Sequence, residues 1–170
     1  MQATNPVIVA TPTIRRRVFS MLYEFFLLLS VQVLAVALYL LVTLNSQHPV
    51  AEHGRNLFVL LVTGAYFIYC WTNSGHTLAM KTWRIKVVKL GYARLPYKTA
   101  ALRFLFAWGW FLPALLVCWA FGLRGKQVAF AVMAGIAAWA LTAFLDKDRQ
   151  FLHDRLAGTR LIALPKVVRK

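Results

Sequence analysis

Four long apolar runs constrain the fold of this chain more than any other feature of its sequence. A helix that crosses a lipid bilayer needs about 20 apolar residues, and the runs cover residues 18–44, 57–72, 100–122 and 128–145. Of the 170 residues 60% are hydrophobic, whereas apolar residues make up about half of an ordinary soluble domain. The sequence therefore predicts an all-α integral membrane protein, a single domain built as a four-transmembrane-helix bundle.

The two runs nearest the N-terminus differ in length. The first is longer than a helix perpendicular to the membrane requires, which predicts a tilted helix or one that begins among the lipid head groups. It continues past the small-residue triplet 35–37 and contains Glu24, so we expect a retained helix and not a cleaved signal peptide. The second run is short for a span, and we expect it to extend at either end.

Basic residues are distributed unevenly between alternate loops. The chain carries 20 Lys and Arg against 5 Asp and Glu, a formal net charge of +15. Seventeen of the basic residues lie in or next to the segments 1–17, 73–99 and 146–170, and three lie in the other two loops. Because Lys and Arg accumulate on the cytoplasmic side of membrane proteins, these segments and both termini are predicted to be cytoplasmic. We expect this charge to meet anionic lipid head groups and no nucleic acid, since no aromatic–basic RNA-binding pattern lies outside the apolar runs.

Two of the predicted cytoplasmic segments contain short extended patterns. Apolar and basic residues alternate over residues 83–88 with the period of two that is typical of a strand. Gly91 supplies a turn, after which residues 92–95 are predicted to return as a second strand, and residues 159–164 are another extended candidate. Just upstream, residues 77–82 are predicted to form a short helical turn at the interface. We therefore expect a small cytoplasmic β element in which the extended pieces pair.

One face of the first predicted helix carries its polar residues. At 3.6 residues per turn, positions 17, 20, 24, 28, 31 and 35 fall close to one face, which places Arg17, Ser20 and Glu24 together. A carboxylate in a bilayer costs about 3 kcal/mol or more unless it is paired, protonated or hydrated. Glu24 lies about 10 Å along the helix axis from Arg17, so a direct contact would need a bend or a bridging water. We predict that this face points at the other helices.

The few acidic residues are concentrated on one predicted side of the membrane. Asp146, Asp148 and Asp154 follow the last span, Glu24 lies near the cytoplasmic end of the first, and only Glu52 is predicted to be outside. In a chain with so many basic residues, this asymmetry indicates the face on which a functional site should be sought.

Three blocks of the sequence, spread over nearly the whole chain, together resemble the RDD family of bacterial membrane proteins. The blocks are Arg17-x6-Glu24, residues 75–81 (GHTLAMK) with 83–88 (WRIKVV), and residues 153–159 (HDRLAGT). The family is named for one arginine and two aspartates, and by this match they fall on Arg17, Glu24 and Asp154. The resemblance implies transport of ligands that are not identified, with cation/proton antiport attributed to some members.

Three positions depart from the family pattern. Ser20 stands where alanine is usual, and Ala79 stands where glycine is usual. Glu24 replaces the first aspartate, which keeps the charge and lengthens the side chain by one methylene.

Glu24 has two competing interpretations. A carboxylate in an apolar site suits the alternate binding of a proton and a monovalent cation, with Arg17 tuning its pKa. Alternatively, Glu24 pairs with Arg17 or with a basic residue of a cytoplasmic loop and only fixes the packing of the helices.

Asp154 also has two competing interpretations. It could bind or gate ions from the cytoplasmic side, with His153 as a proton shuttle and Asp146 as a nearby carboxylate. Alternatively, it is a salt bridge or turn cap that clamps the C-terminal segment to the loop holding Lys81 and Arg84. Those two basic residues could in turn hold an anionic ligand or a lipid head group, or simply form a solvated flank.

Two classes of function stay open. The chain has no P-loop, nucleophile elbow, HExxH or CxxC motif, so we expect no enzymatic activity, no metal and no cofactor. The first class is a small transporter of the bacterial cytoplasmic (inner) membrane that exchanges protons for monovalent cations, which at this size would need a homo-oligomer. The second is a membrane scaffold or accessory subunit whose basic loops recruit anionic lipid or a partner membrane protein.

Overall fold

The computed structural model describes residues 10–46 and 48–165, and most of them are helical. In chain order the elements are α1 (Ile14–Val42), α2 (Pro49–Asn73), α3 (Leu78–Thr82), β1 (Ile85–Val88), α4 (Tyr97–Ala107), a 3-10 turn (Trp108–Trp110), α5 (Leu112–Ala120), α6 (Lys126–Leu145), α7 (Leu152–Leu156) and β2 (Arg160–Ala163). α1 packs against α2 and α3, α2 against α4, and α5 against α6. We call α3, β1, α7 and β2 together the cap.

The second predicted span, residues 57–72, is the one that the structure lengthens most. α2 begins at Pro49, where a missing amide donor costs nothing because the first helical turn has no partner for it. His48 caps the helix, since its side chain accepts a hydrogen bond from the Val50 amide at 3.3 Å. The extension expected at the N-terminal end is therefore confirmed, whereas the C-terminal end gains only Asn73 and not a further turn.

The third predicted span, residues 100–122, is broken. α4 and the 3-10 turn that follows it meet α5 at an angle of 43°. Pro113 lies in the first turn of α5 and has no amide to donate back to the preceding turn. Gly109 lies against α6, where a Cβ at this position would come within 2.2 Å of the Trp139 ring. The proline accounts for the break, and the glycine allows close packing beside it.

Three helices of the described residues, α1, α2 and α6, are long and apolar enough to cross a membrane, and the bent α4–α5 pair is a fourth if it counts as one span. Their outward surface is apolar, with Leu41, Phe130 and Leu145 each at least 74% exposed. An apolar surface of this extent is typical of a membrane or protein interface. The prediction of several membrane-spanning helices is confirmed, and the side of the membrane that each terminus faces stays a prediction.

β1 and β2 form a two-stranded antiparallel sheet. Ile85 lies opposite Ala163, and Val88 lies opposite Arg160. The predicted pairing of the extended segment after α3 with the one near the C-terminus is confirmed.

The predicted strand at residues 92–95 is wrong, because these residues form a bend and a loop. The other edge of β1 is already occupied, since the Val87 amide donates to the Gly75 carbonyl at 2.7 Å. The Tyr92 amide closes a tight turn by donating to the Lys89 carbonyl at 3.2 Å, so the chain turns away before it can pair.

Two apolar clusters hold the cap against the helices. The first contains Trp71, Met80, Ile85, Val87, Leu95, Ala100 and Leu161, and the second contains Trp110, Ala143 and Phe151. Burial of a large apolar side chain contributes about 1.5–3 kcal/mol. These clusters therefore fix the cap more firmly than its short sheet does.

Candidate functional site

The polar face of α1 points into the protein, as its spacing predicts. The buried residues of α1 are Arg17, Ser20, Glu24 and Ala35, all members of the predicted stripe. Glu24 is 8% exposed and Arg17 is 2% exposed. The stripe is confirmed, and it brings a carboxylate and a guanidinium into the interior on one helix face.

Glu24 contacts two hydroxyl groups. Its Oε1 accepts a hydrogen bond from the Tyr66 hydroxyl of α2 at 2.8 Å, and its Oε2 accepts one from the Thr77 hydroxyl. No Lys, Arg or His within residues 10–46 and 48–165 forms an ion pair with this carboxylate. The interpretation that Glu24 pairs with Arg17 or a loop base is therefore wrong for the described residues.

Thr77 is placed by its role as the N-cap of α3. Its backbone is extended, and its side-chain oxygen accepts the Met80 amide at 3.2 Å, which is the usual geometry of a capping threonine. A hydroxyl can accept and donate at once, so the same group also reaches Glu24. The short helical turn predicted at residues 77–82 is confirmed, and it delivers one of the two donors to the carboxylate.

Arg17 is held by backbone carbonyls and an aromatic ring. Its Nε donates to the Pro12 carbonyl at 3.1 Å, and its Nη1 donates to the Arg149 carbonyl at 2.5 Å. The guanidinium lies 5.3 Å from the centre of the Phe151 ring, within the range of a cation–π contact. Arg17 therefore ties the start of α1 to the segment before α7.

Asp154 forms a buried ion pair with Arg103 of α4. Its Oδ1 accepts from Arg103 Nε at 2.9 Å and Nη2 at 2.7 Å, and the aspartate is fully buried. The guanidinium lies 4.2 Å from the centre of the Trp71 ring. Asp154 thus forms a salt bridge, as the second interpretation expected, but the salt bridge runs to α4 and not to the loop holding Lys81 and Arg84.

His153 lies beside this ion pair. Its Nε2 is 3.5 Å from Asp154 Oδ1, and its Nδ1 accepts from the Trp139 indole at 3.4 Å. Burial is the largest cause that lowers the pKa of His153 to about 4, with Arg103 adding to the effect and Asp154 opposing it. Burial alone would raise the pKa of Asp154, but Arg103, His153 and Arg17 outweigh it and hold that pKa below its ordinary value.

The other residues predicted for the site are Asp146, Lys81 and Arg84. The Asp146 carboxylate accepts a hydrogen bond from the Arg155 side chain at 2.5 Å and one from the Gln150 backbone amide at 2.9 Å. Lys81 is exposed in α3, and Arg84 contributes its backbone carbonyl to the Leu164 amide at 2.8 Å. Neither Lys81 nor Arg84 contacts a carboxylate among the described residues.

Sequence reasoning missed three residues of the site. Arg103 was counted only as part of the cytoplasmic charge, although a base inside the predicted span 100–122 is itself a signal of a buried partner. Thr77 lies within the GHTLAMK block without an assigned role, and nothing in the sequence distinguishes Tyr66 from the other aromatic residues of its span.

These observations define a small helical membrane protein with buried polar residues where its helices meet a compact cap. A family model described as the RDD family matches residues 11–158, and the chain belongs to this family. Searches of curated proteins and of solved structures found no match.

The positions at which the chain departs from the family pattern lie at this site. Glu24 reaches both hydroxyl donors with its longer side chain. Ala79 is fully buried inside α3, where its helical backbone needs no glycine, and Ser20 is buried one turn before Glu24.

Proposed function

We propose that this RDD-family protein exchanges protons for monovalent cations across the membrane, and that Glu24 binds the two in turn. The proposal rests on one observation, the set of groups around this carboxylate. Glu24 is buried in a candidate membrane-spanning helix, and its described contacts are hydroxyls.

A buried carboxylate without a basic partner needs some other neutralising charge. Leaving it ionised and unpaired in an apolar site costs several kcal/mol. A bound proton removes the charge, and a bound cation balances it, so the two compete for one place. The oxygens of Tyr66 and Thr77 next to the carboxylate are the kind of ligand that hard cations prefer.

Asp154 and Arg17 take a positioning role in this proposal. Arg103 already neutralises Asp154, and Arg17 is bound to backbone carbonyls. Asp154 therefore lacks the uncompensated charge that a cation-exchange site requires, and the positive guanidinium of Arg17 has the wrong sign to bind a cation. Both instead hold the cap on the helices.

Ion flux in proteoliposomes tests the proposal. A trapped pH dye reports proton movement after pulses of Na⁺, K⁺ or Li⁺. We expect cation-driven proton movement that Glu24→Gln abolishes, since the amide can neither release a proton nor balance a cation. Glu52→Gln is the matched control, because Glu52 is an exposed carboxylate of α2 and its loss should leave the flux unchanged. Absence of flux from folded protein would refute cation exchange.

A scaffold or accessory-subunit role is the second candidate, and one observation favours it. The two hydrogen bonds of Glu24 join α1 to α2 and to the residue that caps α3. If that is their only purpose, Glu24→Gln should lower the folding yield or the recovery of a partner membrane protein, with no flux to lose.

We further place the protein in the bacterial cytoplasmic membrane with both termini inside, and expect it to act as a homo-oligomer. A single intramembrane carboxylate on so few helices supports an assembly of several copies better than a lone alternating-access unit. Chemical cross-linking in membranes tests the number of copies, and cysteine labelling of each terminus tests the orientation.

A further inference from the structure

A cavity of about 150 Å³ lies beside the end of α2, and Glu24 is not among the residues that line it. We call it the basic pocket. It is lined by Thr72, Asn73, Ser74, Gly75, Lys86, Val87, Val88, Lys89, Tyr92, Ala93, Arg94 and Leu95. The end of α2, strand β1 and the loop after it thus enclose one space.

The charged residues that line the basic pocket all carry the same sign. They are Lys86, Lys89 and Arg94, and no carboxylate lines the cavity. None of the three forms an ion pair within residues 10–46 and 48–165. The pocket therefore concentrates positive charge that no described carboxylate balances.

Two features shape the lining of the pocket. Lys89 Nζ donates to the Thr99 hydroxyl at 3.0 Å and lies 5.1 Å from the centre of the Tyr92 ring. A lysine ammonium has three donors, so two are left for a ligand. Gly75 has a φ of +78°, and a Cβ there would lie 2.7 Å from Lys86 Cε, so a larger residue would displace this lysine.

The size and depth of the basic pocket indicate the ligand class. One water needs roughly 10–15 Å³ of such a cavity, so the basic pocket has room for a group of several heavy atoms. It begins where α2 ends, at Asn73, which is the level of lipid head groups if α2 crosses the membrane. Leu90 is 76% exposed and Tyr92 is 57% exposed on the same loop, as expected of residues that enter the interface.

We infer that the basic pocket binds a phosphate group, carried by an anionic lipid or free as inorganic phosphate. Phosphate has five heavy atoms and a charge that the three bases can balance, and lysine and arginine are the usual phosphate ligands. The inference is independent of ion exchange at Glu24.

Native mass spectrometry of the detergent-solubilised full-length protein tests the inference. Dioleoyl phosphatidic acid and dioleoyl phosphatidylcholine are titrated separately, and the phosphatidic acid titration is repeated with inorganic phosphate. We expect phosphatidic acid to bind at least about tenfold more tightly than phosphatidylcholine. The combined change of Lys86, Lys89 and Arg94 to Gln should remove that preference.

The matched control removes the same charge outside the pocket. Lys81, Lys98 and Lys147 are exposed and do not line the cavity, so their combined change to Gln should alter the preference by less than about twofold. Equal losses in the two triple variants, or no preference in the unchanged protein, would overturn the inference. If the pocket variant does not fold, Arg94→Gln alone, at an exposed position, should lower phosphatidic acid affinity while Lys98→Gln does not.

The competition arm separates the two sources of phosphate. Displacement of phosphatidic acid by inorganic phosphate supports a site that also accepts free phosphate. Retention of phosphatidic acid supports a site that takes the phosphate only from a lipid. In either case phosphatidic acid is held by the bases of the basic pocket. Its preferential binding must therefore disappear in the pocket variant.

Discussion

The buried His153 predicts that the protein loses stability in mild acid. Burial, the largest cause, lowers the pKa of His153 from its ordinary 6.5 to about 4. Between these two values the unfolded chain binds a proton at His153 and the folded chain does not. Stability therefore falls as pH falls through this window. The loss from pH 7 to pH 5 is about 2 kcal/mol, and it reaches about 3 kcal/mol near pH 4.

Protonation of Asp154 does not contribute to the loss of stability between pH 7 and pH 5. Its pKa in the folded protein lies below the ordinary value of 3.8, so its stabilisation is present above that value and is lost only as pH falls further. The part of the decline between pH 7 and pH 5 that His153→Gln removes should therefore report the histidine.

Equilibrium unfolding in mixed detergent micelles at pH 7, 6 and 5 measures this effect, followed by tryptophan fluorescence and far-ultraviolet circular dichroism. His153→Gln cannot take up the proton, so its unfolding free energy should vary by about 2 kcal/mol less over this range. His53→Gln, at an exposed position of α2, should keep the full pH dependence. An unchanged pH dependence in His153→Gln would refute the reasoning.

Three further changes test the packing of the site by the same unfolding assay. Asp154→Ala leaves Arg103 buried without its counter-charge and should cost about 3–5 kcal/mol; a cost below 1 kcal/mol would contradict a buried ion pair. Gly109→Ala places a Cβ 2.2 Å from the tryptophan ring of α6 and should cost about 1–3 kcal/mol, which a neutral result would contradict. Tyr66→Phe removes one donor from Glu24 and should cost about 1–3 kcal/mol, whereas a stabilised protein would show that the hydrogen bond is not formed.

Features set by local spacing could be predicted from the sequence. The buried face of α1 follows from the helical period, which needs only the order of Arg17, Ser20 and Glu24 along one segment. The pairing of β1 with β2 could be predicted because residues 83–88 alternate and few other extended candidates exist. The third candidate, residues 92–95, has similar composition, and only the occupied edge of β1 excludes it.

Partners that are distant in sequence could not be predicted. Asp154 contacts Arg103, 51 positions away, and Glu24 contacts Thr77, 53 positions away. Each contact depends on how the cap sits on the helices, which is determined by the apolar clusters around Trp71 and Phe151 and not by any charge pattern. The pattern of acids and bases indicated the correct end of the molecule but paired them wrongly.

The two buried carboxylates, Asp154 and Glu24, differ in which contacts a bound proton or cation would change. Asp154 pairs with Arg103, so it ties α7 to α4 and takes no part in the hydrogen bonds of Glu24. Glu24 hydrogen-bonds the hydroxyl that caps α3, so a proton or cation at this carboxylate changes a contact between the spanning helices and the cap. A ligand can shift a conformational equilibrium only by its difference in affinity for the two states. In the proposed exchanger, that difference arises at the contact between Glu24 and Thr77, because this contact joins the proposed ion site to the first turn of α3.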